Sequence, residues 1–287
     1  MLKTNKDRLP MTLVQAQAAP CRVRNAAGNM TTDGMTLWCQ GTGGITYNAQ
    51  IGDICTGWAA DHLEPGVTTR HPDEIINNGY NLLSCIGNEA TVVSGDAKGA
   101  KGFVTGKHGG AEHVMVWLPQ ADMEKLLIED KIAVRAQGQG MELTDYPGIL
   151  LRSMSPKLLE SMNITELPDG KLRIGVAKIV PACVMGSGLG ARNSTTGDYD
   201  ITLHDPVMNA QHGLMDLRFG DIVALIDADT RFGRTFRTGA VTIGVVIHGD
   251  SYLDGHGPGV TTLMATKEPL IEVFEDESAN LKTLLGV

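Results

Sequence analysis

The sequence predicts a mainly β protein with a few short helices, folded as two domains. Three observations lead there. The chain has 287 residues, long for a single hydrophobic core. Its 35 glycines and 12 prolines are spread along the whole length, as tight turns between short strands require. From Met35 onward, short runs suited to strands alternate with glycine turns, and patterns of helical period are few and brief.

In chain order, residues up to about 30 carry no clear periodicity and read as an arm or edge segment. Strands are expected at Ile45–Asn48, Thr91–Ser94, Phe103–Thr105 and His113–Leu118. Helical turns are expected at Asp73–Asn77, Ala121–Ile128 and Pro156–Met162. In the last of these, Ser155 is placed to cap and Pro156 occupies the first helical position. Ala240–Ile247 is a wholly apolar run, too short for a membrane span and read as a buried strand. Pro269–Phe274 and Ser278–Leu285 close the chain as a strand and a helix. The turns at Gly138–Gly140 and Asp145–Gly148 bracket the expected domain boundary, giving domains 1–142 and 143–287, the second a β-barrel or a β-rich α+β unit.

A net charge of −9 argues against broad, non-specific nucleic-acid binding, which needs a basic surface, and leaves room for a local basic patch. Hydrophobic residues at 42% and charged residues at 20% fit an ordinary globular chain rather than a disordered one. Five cysteines, odd in number and never in C-x-x-C spacing, read as reduced thiols. The first residues carry charges without an apolar stretch behind them, so no signal peptide is read and a cytoplasmic location is expected. A homo-oligomer is expected, with exposed edge strands as the joining surface.

Gly95, Gly99 and Gly102 punctuate a strand–turn–strand segment that resembles the KOW motif of small SH3-like barrels. That resemblance implies an SH3-like barrel in the N-terminal half. It also implies a non-catalytic alternative, in which Lys98, Lys101 and Lys107 form one exposed patch for RNA or a protein partner.

Chemistry-bearing residues gather beside glycines at strand ends. His62 and Glu64 sit with Asp61 in a loop stiffened by Pro65. His108 and His113 flank Gly109, Gly110 and Glu112, with Lys107 just before them. Asp198 and Asp200 lead through a short strand to His204. The apolar run ending at Ile247 delivers His248 and Asp250, and His256 follows among glycines. Histidines with nearby carboxylates hold a divalent metal or move a proton. His248, Asp250, His256, His62 and Glu64 are therefore the catalytic candidates, and His248, Asp250, His256, Asp200 and His204 the metal-ligand candidates. Gly186, Ser187, Gly188, Gly190 and Arg192 lack both a Walker lysine and a following helix, but suit an anionic group of a substrate, as do Lys107 and His108. Pro65-Gly-Val-Thr-Thr69 recurs as Pro258-Gly-Val-Thr-Thr262, each after a histidine, so two similar loops are placed to present His62 and His256 to one cleft.

Taken together, Ser94–Gly99, Thr105–Gly110, Met185–Gly190, Gly197–Asp200 and Gly255–Val260 resemble an uncharacterised bacterial family, domain of unknown function 4438. The resemblance implies an N-terminal and a C-terminal domain and brings no activity with it. From the residues, the leading expectation is an enzyme acting on a small carboxylate- or amide-bearing metabolite at an interdomain cleft, by metal-assisted or His/Asp acid–base chemistry. The alternatives are the KOW-like binding module and an oligomeric scaffold.

Overall fold

The computed structural model describes residues 2–23, 29–187 and 193–287. The first half contains β1 (Thr12–Ala18), β2 (Asn29–Met30), β3 (Thr36–Leu37), β4 (Ile45–Thr46), β5 (Gly66–Arg70), α1 (Glu74–Leu83), β6 (Glu89–Val92), β7 (Lys101–His108), β8 (His113–Trp117), α2 (Gln120–Met123) and β9 (Lys131–Ala136). The second contains β10 (Leu150–Leu151), α3 (Pro156–Ser161), β11 (Ile164–Glu166), β12 (Leu172–Val176), β13 (Lys178–Pro181), β14 (Tyr199–Asp200), α4 (Pro206–His212), β15 (Ile222–Asp229), β16 (Thr235–Val246), β17 (Gly259–Thr266), β18 (Ile271–Glu275) and α5 (Leu281–Leu285). The protein is mainly β with short helices, as its glycine-punctuated pattern requires.

Six strands close into an antiparallel barrel in the order β1-β9-β6-β7-β8-β5, with β1 pairing β5 to complete the ring and β4 added outside β5. Closure leaves no free edge in the ring. The sequence expectation of an N-terminal arm is corrected here, because β1 is a full member of the barrel. Its inward residues are Val14, Ala16 and Ala18, mostly small, while Leu13, the largest apolar side chain of the strand, points outward and is exposed. The turn at Gly95–Gly99 joins β6 to β7 as a hairpin, and both glycines have positive φ.

The second half is built on the sheet β10-β17-β16-β15-β13, with β14 also pairing β17; β13 and β15 run parallel and the other pairs are antiparallel. Beside it lies the small sheet β11-β12-β18. All eight residues of β17 are buried, as are the last seven of β16, which explains why these strands read as unbroken apolar or threonine-rich runs. Ser155 caps α3 by accepting from the Leu158 N–H at 3.1 Å, with Pro156 at the first helical position. Among the described residues no helix is long and apolar enough to cross a membrane. The two halves touch where β7 meets the second sheet: the Thr261 hydroxyl donates to the Lys107 carbonyl at 2.9 Å, and Gly106 packs on Ile247. The polar cluster lies at this junction.

Candidate metal centre

Four histidines and two carboxylates from distant parts of the chain converge at the ends of these strands. His62 lies in the loop entering β5, and His108 is the last residue of β7. His248 follows the end of β16, and His256 lies in the loop entering β17. Asp198 and Asp200 flank Tyr199 on β14; at a spacing of two, both carboxylates reach the same side. Rings stand as little as 4.3 Å apart between His108 and His248, and 4.9 Å between His62 and His248.

The donor atoms form two groups. In the outer group, His62 Nε2 lies 3.1 Å from His256 Nδ1, which is 2.9 Å from Asp200 Oδ2, and the third edge, His62 Nε2 to Asp200 Oδ2, is 3.6 Å. A tetrahedral ion with nitrogen and oxygen ligands at about 2.05 Å needs donor–donor edges of about 3.3 Å. The three edges observed scatter around that length. The inner group is His108, Asp198 and His248, with His248 Nε2 2.9 Å from Asp198 Oδ2. In each group the candidate ligand atoms lie within 4.8 Å of one another.

The outward ring nitrogens are held in the manner of metal-ligating imidazoles, whose second nitrogen is tied to a carboxylate or carbonyl. His108 Nδ1 donates to Glu64 Oε1 at 2.6 Å, and His248 Nδ1 donates to the Gly249 carbonyl at 2.8 Å. His62 Nδ1 faces Asp61 Oδ2 at 3.2 Å. With their outward nitrogens engaged in this way, the three rings turn Nε2 toward the cluster, where a proton or a metal ion completes each contact. Glu64 is wholly buried and also accepts from the Gly43 N–H, the Thr68 hydroxyl and His113 Nδ1. It orients His108 rather than entering either group.

Electrostatics follow from this packing. Burial opposes the His62 cation, but the carboxylates of Asp200 and Asp61 outweigh it and carry the imidazole up to about 9. Burial likewise opposes ionised Asp200, yet hydrogen bonds from His256 and His62 and the charge of His248 hold it below the usual carboxylate range. Glu64, against the same burial, is held well below its ordinary value by His113 and His108. His108 itself is lowered, first by burial and then by the neighbouring His248 charge, which favours the neutral imidazole that ligation needs.

Other residues nominated from sequence lie elsewhere. Asp250 accepts from the Ser251 N–H at 2.7 Å and joins neither group. His204 is exposed, with Nε2 3.3 Å from the Leu253 carbonyl. The Gly186 N–H donates to the Asp200 carbonyl at 2.7 Å, and Ser187 Oγ lies 3.4 Å from both Asp200 Oδ2 and His256 Nδ1. Gly188, Gly190 and Arg192 fall outside the described residues. Lys107 is wholly buried and its amine donates to the Leu82 and Thr195 carbonyls, each at 3.1 Å. Strand alternation turns it to the face opposite His108. The expectation of one exposed patch of Lys98, Lys101 and Lys107 is therefore corrected: Lys98 and Lys101 are exposed and Lys107 is not. Asp198 and His113 enter as residues the sequence ranking passed over; the alternation Asp198-Tyr199-Asp200 was the available signal for the first. Cavities of about 370 and 410 Å³ lie away from the cluster, one beside Arg70 and Asn77 and one beside Leu2 and Leu159.

No curated protein matches the chain. The crystal structure of TM1086 is similar, at 43% sequence identity over 98% of each chain with a TM-score of 0.92. The N-terminal model of the domain of unknown function DUF4438 matches residues 29–160, and its C-terminal model matches residues 161–285. The chain thus belongs to the DUF4438 family across both of its domains.

Proposed function

We propose that the protein is a metal-dependent enzyme acting on a small carboxylate- or amide-bearing molecule, with a divalent first-row ion held by His62 Nε2, His256 Nδ1 and Asp200 Oδ2. The observation that carries this reading is the triangle of three candidate ligand atoms with edges of 3.1, 2.9 and 3.6 Å, close to the ligand spacing of a tetrahedral ion. Two ring nitrogens and a carboxylate oxygen this close need a proton or a metal ion between them. Imidazole and carboxylate with no thiolate suit zinc, manganese, iron or cobalt.

Three protein ligands with room for a fourth are the mark of a reactive metal site, whereas structural sites close all four positions. His256 supports this, since 27% of its side chain is exposed while His62 and Asp200 are buried. Ser187 stands beside that open side. An ion held by His62, His256 and Asp200 would lower the pKa of a water and polarise a substrate carbonyl. Hydrolysis of an amide then adds the water oxygen to the acyl carbon, breaks the C–N bond and sends a proton to the leaving nitrogen.

The test is metal analysis of the purified protein, followed by calorimetric titration of Zn²⁺ or Mn²⁺ into chelator-treated wild type and His256→Ala. The expected result is stoichiometric binding that weakens at least tenfold in the variant. Absence of metal, with equal and negligible binding in both proteins, removes the reading.

A further inference from the structure

The outer triangle leaves the inner group unexplained. We infer that His108, Asp198 and His248 hold a second divalent ion, joined to the first through the carboxylate of Asp200, so that the centre is dinuclear. This rests on the metal reading of the outer group and extends it.

Four observations converge. The inner donors face one another in the same way: His248 Nδ1 lies 2.8 Å from the Gly249 carbonyl and Nε2 lies 2.9 Å from Asp198 Oδ2, so either a ring proton or a metal ion stands between Nε2 and the carboxylate. The Gly259 N–H also approaches Nδ1, at a longer 3.3 Å. The second oxygen of Asp198 is pinned by the Gly109 N–H at 2.7 Å, which fixes the aim of the first. His108 is oriented by Glu64, a carboxylate–imidazole pair that raises ligand basicity. Finally, Gly259 passes beside the group with no side chain: a Cβ there would lie 2.2 Å from both Asp198 Oδ2 and His248 Nε2. Any larger residue would occupy the space between the two donors.

Asp200 connects the groups because its two oxygens face different ways. Oδ2 belongs to the outer triangle, whereas Oδ1 lies 3.8 Å from His248 Nε2 in the inner group. A carboxylate spanning two ions in this way sets them at the short separation used by hydrolytic two-metal sites, which clamp both oxygens of a substrate carboxylate or of the adduct formed when water attacks an amide.

The experiment is Mn²⁺ titration of chelator-treated full-length protein, read by metal analysis after desalting and by electron paramagnetic resonance. Wild type is expected to retain two equivalents with a spin-coupled spectrum. Gly259→Ala is expected to retain one equivalent with an uncoupled spectrum, because its methyl group fills the inner position alone. His108→Gln, which still donates to Glu64, is the second probe and is expected to behave likewise; thermal unfolding identifies which variants are folded. One equivalent in wild type overturns the dinuclear centre and leaves the outer site standing. Two equivalents unaffected by either folded variant also overturn it. No retained ion in wild type overturns this inference and the proposed function together.

Discussion

Glu64→Gln tests the arrangement that aims His108. The wild-type carboxylate is wholly buried and accepts from Gly43 N–H at 2.8 Å, the Thr68 hydroxyl at 2.5 Å, His108 Nδ1 at 2.6 Å and His113 Nδ1 at 3.0 Å. Glutamine keeps the volume but offers one acceptor oxygen, and its amide points a donor at two of the four donors. Each orphaned buried donor costs about 1–3 kcal/mol, and breaking a buried ion pair costs about 3–5 kcal/mol, so a loss of about 4 kcal/mol is expected. For a chain of this size that lowers Tm by about 8–16 °C, measured by scanning calorimetry on metal-free protein at pH 7. The sign with pH follows from Glu64 being held well below its ordinary value of 4.5. Its contribution is complete above that value and disappears as pH falls through the lower folded-state value. The gap between wild type and variant is therefore widest near neutrality and narrows in acid. A gap under about 1 kcal/mol, or one that widens as pH falls below 4.5, would refute the assignment of Glu64 as the charged acceptor.

Two further outcomes follow from the packing. Gly106→Ala places a methyl carbon 2.4 Å from Ile247 Cγ2, where β7 leans on the segment carrying His248; a loss of about 1–3 kcal/mol in urea unfolding is expected, and an unchanged midpoint would show that the two halves separate freely there. Ser155→Ala removes the acceptor that caps the Leu158 N–H, with an expected loss of about 1 kcal/mol in the same assay and no change in metal binding, since α3 holds none of the donors.

Much of the fold was legible because its strands obey simple rules. The hairpin of β6 and β7 announces itself through glycines that must take positive φ, and α3 through a serine cap followed by proline. β1 was not, because its inward residues are Val14 and two alanines while its largest apolar side chain, Leu13, faces solvent; small inward residues give hydrophobic periodicity little to register. The cluster shows the same division. His62, His108, His248, His256 and Asp200 drew attention as polar groups beside glycines at strand ends, and the structure brings them together. Asp250 drew attention as a polar group delivered with His248 at the end of an apolar strand, but β16 ends at Val246 and the chain beyond it turns Asp250 to the Ser251 N–H. The carboxylate beside His248 is Asp198 instead. Its partner His248 is 50 residues away, and no local pattern records a contact made only when two β units meet.

The composition of this junction is costly in three separate ways, and the costs fall on one spot. His62 holds a left-handed backbone at φ 57°, a conformation worth about 1–3 kcal/mol of strain in a non-glycine residue. His62, His108, His248, Asp198 and Asp200 are each at least 95% buried, and burying ionisable groups is a net expense even when they are paired. Gly106 and Gly259 give up side-chain packing to let neighbouring atoms approach. An apolar core of equal volume would avoid all three, and buried ionic groups replaced by apolar ones often leave a protein equally or more stable. Stability alone therefore does not account for these side chains, and the charge they are arranged to surround has to be counted with them. A proton on each imidazole–carboxylate pair supplies part of that charge. Two divalent ions would supply it between the facing donor atoms, which makes occupancy of the two groups, rather than the strength of any one hydrogen bond, the quantity that decides what this junction is for.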